Sequence, residues 1–160
     1  MRKIFAFLLT FIMALSTTCV AFAGEMPATA NTYSAEYEYF DDGSYIVTTI
    51  TESSSAFIRA SRSKTGSKTA KYYSSSGSAL WSVTVTGTFS YTGSSATCTN
   101  SSVSASSSNI AWKIGSKSAS KSGSTAKATA TAVKYNADGT KSQTATKTVT
   151  LTCSKTGKLS

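Results

Sequence analysis

The chain contains no histidine, a single proline, three cysteines and only seven carboxylate side chains in 160 residues. Without histidine it lacks the commonest general base, a frequent transition-metal ligand and every Ser–His catalytic pair. Beyond the N-terminal segment, no apolar run approaches the roughly 20 residues that a transmembrane helix needs. These absences predict a non-enzymatic protein with no metal, no cofactor and no membrane-spanning segment in its mature form.

The N-terminal residues have the three parts of a secretory signal peptide. Arg2 and Lys3 form a positive region, residues 4–15 form an apolar region, and small residues precede a cleavage site between Ala23 and Gly24. We interpret residues 1–23 as a removable signal peptide, which predicts a secreted or cell-wall-associated protein. A lipoprotein anchor at Cys19 is the alternative, but the preceding Thr18 is larger than the residues usual there.

Removal of the signal peptide leaves two cysteines, Cys98 and Cys153. An even pair in an exported chain predicts one disulfide, with two free thiols as the alternative. Such a bond would close a loop of about 56 residues and stabilise the fold by roughly 4 kcal/mol in the chain-entropy treatment.

Charge is segregated along the mature chain. Every carboxylate except that of Asp138 precedes residue 53, whereas all basic residues follow it. A positive field outside a cell favours anionic polymers such as wall polymers or acidic glycans, and nucleic acid is a less expected partner. Solubility and solvated strand faces are the alternative explanation of the same charge.

Residues 80–92, LWSVTVTGTFSYT, carry the clearest structural pattern. Apolar residues occupy the odd positions, and serine, threonine or leucine the even ones, which predicts a strand with one buried face. Trp81 lies in phase with these buried neighbours. We therefore expect Trp81, and similarly Trp112, in the core rather than on a sugar-stacking surface.

Two hairpins follow from turn chemistry. The Asp-Gly pair at 42–43 predicts a type I′ turn that places Tyr39 opposite Ile46 and leaves Glu36 and Glu38 together on the solvent face. A three-residue loop at 122–124 predicts pairing of Ala119 with Lys127 and of Ile114 with Ala132. This second register places four lysines on one exposed face, which is the best candidate ligand-binding surface: Lys113, Lys117, Lys121 and Lys127.

The remaining segments complete one β domain at 34–160, after a disordered leader at 24–33. Seven or eight short strands are expected, with a long connection at 52–67, a bulge near Asn100 and a last strand at 146–154. This pattern predicts an all-β, antiparallel β-sandwich or open barrel. An immunoglobulin-like domain is the first expectation. The order Cys98, Trp112, Cys153 resembles that of immunoglobulin domains, but Leu151 stands where those domains have a tyrosine, so the order favours the sandwich class and not the topology.

Acid–base hydrolysis has few candidate residues. Glu36 with Glu38, and Asp41 with Asp42, are the close carboxylate pairs, but a hairpin face and ordinary turn chemistry account for all four. A hydrolase acting through Glu36 or Glu38 is therefore the least favoured alternative.

In its signal peptide, its Ser/Thr/Lys-rich strands and its single cysteine pair, the chain resembles the short secreted proteins of unassigned function from Gram-positive, Clostridia-like bacteria. This resemblance implies no catalytic residues. The favoured function is a secreted or wall-associated binding module that holds an anionic polymer through its basic face. A secreted antagonistic or membrane-active protein is the second hypothesis.

Overall fold

A computed structural model describes residues 30–53 and 62–160 of the chain. The cleavage site expected between Ala23 and Gly24 lies outside these residues. In the described part, no helix has the length and apolarity that crossing a membrane requires. The strands are β1 (Ala30–Tyr39), β2 (Tyr45–Ser53), β3 (Ser63–Tyr73), β4 (Ala79–Tyr91), β5 (Ala96–Ser107), β6 (Trp112–Ser122), β7 (Thr125–Tyr135) and β8 (Lys141–Thr152).

The strands form two antiparallel sheets, one of five strands in the order β1-β2-β3-β4-β5 and one of three in the order β6-β7-β8. This arrangement confirms the predicted all-β, antiparallel class with two open sheets. Every neighbour within a sheet is also the next strand in sequence, so each sheet is a meander. The strand order therefore differs from that of an immunoglobulin domain, whose strands alternate between sheets.

The core lies between β4 and β7. The odd face of β4 is buried as predicted, with Trp81, Val83, Val85 and Phe89 all at 0% exposure. Its partners on β7 are four buried alanines, Ala126, Ala128, Ala130 and Ala132. Because alanine is small, the second sheet approaches β4 closely, and a thin core results.

The turn between β1 and β2 is not the predicted type I′ turn. That type needs a positive φ at two residues, whereas Gly43 has a φ of 76° and no described non-glycine residue has a positive one. Phe40 N donates to Ser44 O and Gly43 N donates to Phe40 O, both at 2.9 Å, which defines a three-residue loop. The same pair of hydrogen bonds closes the turns that contain Gly77, Gly139 and Gly157.

This longer loop shifts the β1–β2 register by one residue. Tyr39 pairs with Tyr45 rather than with Ile46, which instead pairs with Glu38. Because side chains alternate along a strand, the shift exchanges the two faces. Glu36 and Glu38 therefore lie on the same face as buried Ile46 and not on the opposite face, as predicted, but both side chains are exposed because β1 is an edge strand.

The β6–β7 hairpin also differs from its predicted register. Ser122 pairs with Thr125, so the loop has two residues, Gly123 and Ser124, instead of three. Ala119 consequently pairs with Ala128 and not with Lys127. Residues 116–121 of β6 therefore face the side of the sheet opposite to the one predicted.

Two of the β-bulges in the ladders bear on the predicted registers. The ladder shifts between Ile114 and Ser116, which leaves Gly115 as the extra residue and restores the predicted pairing of Ile114 with Ala132. On β5, Thr88 pairs with Asn100 and Phe89 with Cys98, which confirms the bulge predicted near Asn100.

Element boundaries differ at three places. β1 begins at Ala30, within the segment 24–33 for which a disordered leader is predicted. β3 begins at Ser63, within the predicted connection at 52–67, and β8 begins at Lys141 instead of at residue 146. In β3 and β8, Ser, Thr and Lys residues form strand despite weak apolar alternation, because neighbouring strands supply the backbone hydrogen bonds.

The disulfide predicted between Cys98 and Cys153 is not present, since both are free, buried thiols. Each thiol donates instead to a local carbonyl, Cys98 Sγ to Asn100 O at 3.1 Å and Cys153 Sγ to Ser154 O at 3.4 Å. Burial raises the pKa of both thiols.

Candidate functional site

The four lysines predicted as one surface are divided between two faces of the β6–β7 hairpin. Lys117 and Lys121 pair with Ala130 and Ala126, which are buried, so these two lysines lie on the face toward the other sheet. Lys113 and Lys127 lie on the outer face. The predicted single-face stripe is wrong, because the two-residue turn and the bulge at Gly115 reverse only the part of β6 that follows Gly115.

Lys121 connects the two sheets. Its Nζ donates to Thr99 O on β5, at the position of the bulge. Lys117, four residues earlier on the same exposed edge strand, makes no ion pair with any residue in 30–53 or 62–160. The ammonium of Lys121 therefore satisfies a backbone carbonyl, whereas that of Lys117 is available to a ligand.

The outer face of the three-stranded sheet is polar and nearly free of acidic groups. Lys113 Nζ lies 5.2 Å from the centroid of the Tyr135 ring, a cation–π contact. Tyr135 pairs with Lys141 on β8, so two lysines flank one aromatic ring. Between this end and Lys127, threonine hydroxyls bond across β7 and β8, at 2.8 Å for Thr129 with Thr148 and 2.9 Å for Thr131 with Thr146.

The charge of this sheet is not neutralised within the described chain. Residues 112–160 contain nine lysines and one carboxylate, Asp138. Hydrogen bonds from Thr140 lower the pKa of Asp138 and hold its side chain in the β7–β8 turn. Among the described residues, Lys147 alone of the nine forms an ion pair, with Glu38 at 2.7 Å.

Glu36 and Glu38 lie in a groove of about 410 Å³ between β1 and β8. Lys68 and Lys147 line the same groove, and the Lys147–Glu38 pair crosses it. Glu38 is thus held by Lys147, whereas Glu36 forms no ion pair among the described residues, and an exposed pair of this kind is typical of protein surfaces.

A second cleft, of about 750 Å³, lies at one end of the sandwich. It is bounded by the β1–β2 turn, the β5–β6 connection and the end of β7. Phe40, Tyr72 and Trp112 supply its aromatic lining. The sequence does not single out this cleft because the three rings lie far apart in the chain.

These rings belong to a ladder that runs from the surface into the core. The Phe40 and Tyr72 centroids are 6.3 Å apart with the rings nearly parallel, and those of Tyr72 and Trp81 are 4.3 Å apart. Trp81 lies 6.4 Å from Trp112. Trp81 is fully buried, while Phe40 at the other end is 39% exposed. The core thus supports an aromatic ring that solvent can reach.

A separate row of tyrosines covers the outer face of β1, β2 and β3. Tyr37 stacks on Tyr39, Tyr39 contacts Tyr45, and Tyr45 stacks on Tyr73 at 5.0 Å. Tyr39 is 70% exposed. These rings lie on the opposite face of the sheet from the core.

Within the ranges 30–53 and 62–160, no three Cys, Asp or Glu side chains come together in a way that could hold a metal ion. No protein-family model matches the chain, and no curated protein or solved structure matches it either.

Proposed function

We propose that this chain is a secreted or wall-associated, non-enzymatic module that binds an anionic polymer through the sheet β6-β7-β8. The observation that carries the proposal is the excess of nine lysines over one carboxylate in residues 112–160, with one ion pair to the rest of the described chain. A cationic surface of this kind attracts polyanions over about a Debye length, roughly 8–10 Å at physiological salt.

The outer face is the contact surface that we favour. Lys127 is six residues from Val133, the partner of Lys113, so the two lysines lie about 20 Å apart along the sheet at 3.3 Å per residue. Lys113 and Lys141 mark one end, and Lys127 marks the other. A polymer with repeated carboxylate or phosphate groups can contact both ends at once, and multiple weak contacts then add.

Export is part of the proposal. Residues 1–23 would direct secretion and be removed between Ala23 and Gly24. N-terminal sequencing of the protein recovered from the medium or wall fraction of an expressing Gram-positive host tests this step. A mature form that begins at Gly24 supports it, and retention of the whole chain inside the cells contradicts it.

Retention on polygalacturonate or dextran sulfate, with uncharged dextran as control, tests the binding function. The mature chain should be retained on both polyanions at about 50 mM salt and released by about 300 mM, because screening shortens the range of the attraction. The variant K113Q/K127Q/K141Q should lose most of the retention, and K113R/K127R/K141R should keep it.

A matched control removes three positive charges elsewhere, as K71Q/K155Q/K158Q. If both triple Gln variants lose retention equally, net charge rather than the outer face is responsible. If neither loses it, the proposed surface is wrong. Release of dye from anionic vesicles, measured on the same proteins, distinguishes the membrane-active alternative.

A further inference from the structure

The cleft at the end of the sandwich carries hydrogen-bonding groups that the described chain does not use. Asn109 Oδ1 accepts from Ala111 N at 2.9 Å, which orients the side chain and leaves its Nδ2 donors without a partner in the described residues. Asp41, Lys134 and Gln143 also line the cleft and make no side-chain hydrogen bond to the described chain. Donors and acceptors therefore both surround the aromatic lining.

Asp42, which also lines the cleft, already accepts hydrogen bonds from its own turn. Asp42 Oδ1 accepts from Ser44 N at 2.9 Å and from Ser44 Oγ at 2.5 Å, and these bonds lower the pKa of Asp42. A carboxylate that remains ionised cannot donate a proton to a leaving group, so this side chain fits a binding role rather than a general-acid role. Its second oxygen still faces solvent as an acceptor.

The charge of the cleft differs from that of the basic sheet. Asp41 and Asp42 outweigh Lys134, so the lining is slightly negative. An anionic ligand is therefore disfavoured here, and a purely apolar ligand would leave four or more polar groups without partners on burial. A ligand with flat apolar patches and many hydroxyl groups satisfies both the rings and the polar side chains.

We propose that this cleft binds a short oligosaccharide of neutral or amino-substituted pyranose rings, with one sugar against the exposed Phe40 ring and its hydroxyl groups bonded to Asp41, Asn109 and Gln143. The axial C–H groups of a pyranose present an apolar face, which packs on an aromatic ring. The ladder through Tyr72 to buried Trp81 fixes the orientation of Phe40 before the ligand arrives, so less ordering accompanies binding. This site is independent of the outer face of β6-β7-β8.

Titration calorimetry of the mature chain with three probes tests the proposal: trimers of N-acetylglucosamine, of glucose and of glucosamine. At least one should bind, with a change in tryptophan fluorescence because Trp112 lines the cleft. The variant F40A should weaken that binding about five- to tenfold, the effect expected from loss of one aromatic contact. D41N should weaken the glucosamine trimer more than the glucose trimer.

The matched control is Y39A, which removes the neighbouring ring from the opposite face of β1. It should leave the affinity unchanged. Loss of binding in Y39A but not in F40A would place the sugar on the tyrosine row and overturn the proposal. Absence of binding by all three trimers, with the chain folded by circular dichroism, would overturn it as well. Because the trimers carry no negative charge, the outcome does not depend on the polyanion experiments.

Discussion

The backbone amides of Cys98 and Cys153 donate to the carbonyl oxygens of two successive residues, Gly123 and Ser124, at 2.7 Å and 3.0 Å. Cys98 belongs to the five-stranded sheet, and Cys153 follows the last strand of the three-stranded sheet. The turn between β6 and β7 is therefore fixed from both layers of the sandwich. The two cysteines hold this junction through their backbones, while their thiols bond to separate carbonyls.

Both thiols should react slowly in the folded protein. Burial raises their pKa, and the thiolate is the reactive form, so iodoacetamide at neutral pH should modify neither side chain at an appreciable rate. In denaturant, mass spectrometry should count two alkylated cysteines in the mature chain, and one in the variant C98S. Recovery of no alkylable thiol from the denatured mature chain, reversed by reductant, would show an oxidised pair and contradict the free thiols.

Substitution of Gly87 by alanine should destabilise the fold by about 1–3 kcal/mol, the usual cost of overpacking. A Cβ at this position would lie 2.6 Å from the Phe89 ring and 2.9 Å from Ala126 Cβ on the facing strand β7. Urea unfolding measures the loss. The variant G87A/F89L should recover part of it, because leucine removes the clash with the ring and leaves the one with Ala126.

Gly115 provides the control for this substitution. An added Cβ there meets Val133 Cγ2 at 3.5 Å, an ordinary contact, and the residue does not have a positive φ. G115A should therefore change the unfolding free energy by no more than about 0.5 kcal/mol. Equal effects of G87A and G115A would mean that loss of glycine, and not contact with Phe89, determines the result.

The alternation of apolar and polar residues along a strand correctly predicts which face is buried. The register between two strands is harder to predict, because it depends on the type of turn that joins them. The buried odd face of β4 and the inward Val149, Leu151 and Cys153 follow directly from period-2 patterns. Register depends on whether a glycine turn has two residues or three, and Asp42-Gly43 fits both. One residue more than predicted in the β1–β2 turn exchanged the faces of β1. One residue fewer than predicted in the β6–β7 turn, with the bulge at Gly115, divided the predicted lysine surface.

The cleft could not be predicted for a different reason. Phe40, Tyr72 and Trp112 come together only through the pairing of β2 with β3 and the packing of one sheet on the other. No local pattern encodes that contact, and the alternation of Tyr72 and Trp112 indicates burial alone. Chemistry at the ends of a sandwich depends on loops whose positions require the tertiary fold.

Stability should fall as pH rises above about 10, and Tyr72 should account for part of this loss. Burial, with a smaller contribution from the charge of Glu38, raises the pKa of Tyr72 to about 12. Between the unfolded and folded pKa values the native state binds more protons than the unfolded state, so alkali favours unfolding. The stabilisation is complete below about pH 10 and is lost as pH approaches 12.

The variant Y72F should show a weaker decline of the urea midpoint between about pH 10 and 12 than the unmodified chain. Y39F, at an exposed ring, is the control and should follow the unmodified chain. The raised pKa of both cysteines adds a decline that begins near pH 8.5, which is common to all three proteins. Parallel curves for Y72F and the unmodified chain would exclude a contribution from Tyr72.

The two ion pairs should differ in their sensitivity to salt. Glu38 of the Lys147 pair is 55% exposed, so E38Q should cost less than about 1 kcal/mol and the cost should vanish at high salt. In the Lys64–Glu52 pair both side chains are less than one-third exposed, at 27% and 16%. E52Q should therefore retain a measurable cost at high salt. Unfolding of both variants at two salt concentrations gives the comparison, and a larger high-salt cost for E38Q would contradict it.

Substitution of Lys113 should weaken polymer binding, and substitution of Lys121 should weaken the fold. Lys121 Nζ donates a hydrogen bond to Thr99 O at the β5 bulge. K121Q should therefore lower the unfolding free energy by about 1–3 kcal/mol, the usual contribution of a hydrogen bond from a charged group reduced because solvent screens this exposed one. The Lys113 ammonium lies over the Tyr135 ring and forms no ion pair among the described residues, so K113Q should change stability by about 0.5 kcal/mol or less yet reduce retention on polygalacturonate. Urea unfolding and salt-gradient elution of both variants make the comparison. The reverse pattern, with K121Q weakening retention and K113Q weakening the fold, would mean that the polymer contacts the sheet edge and not the outer face.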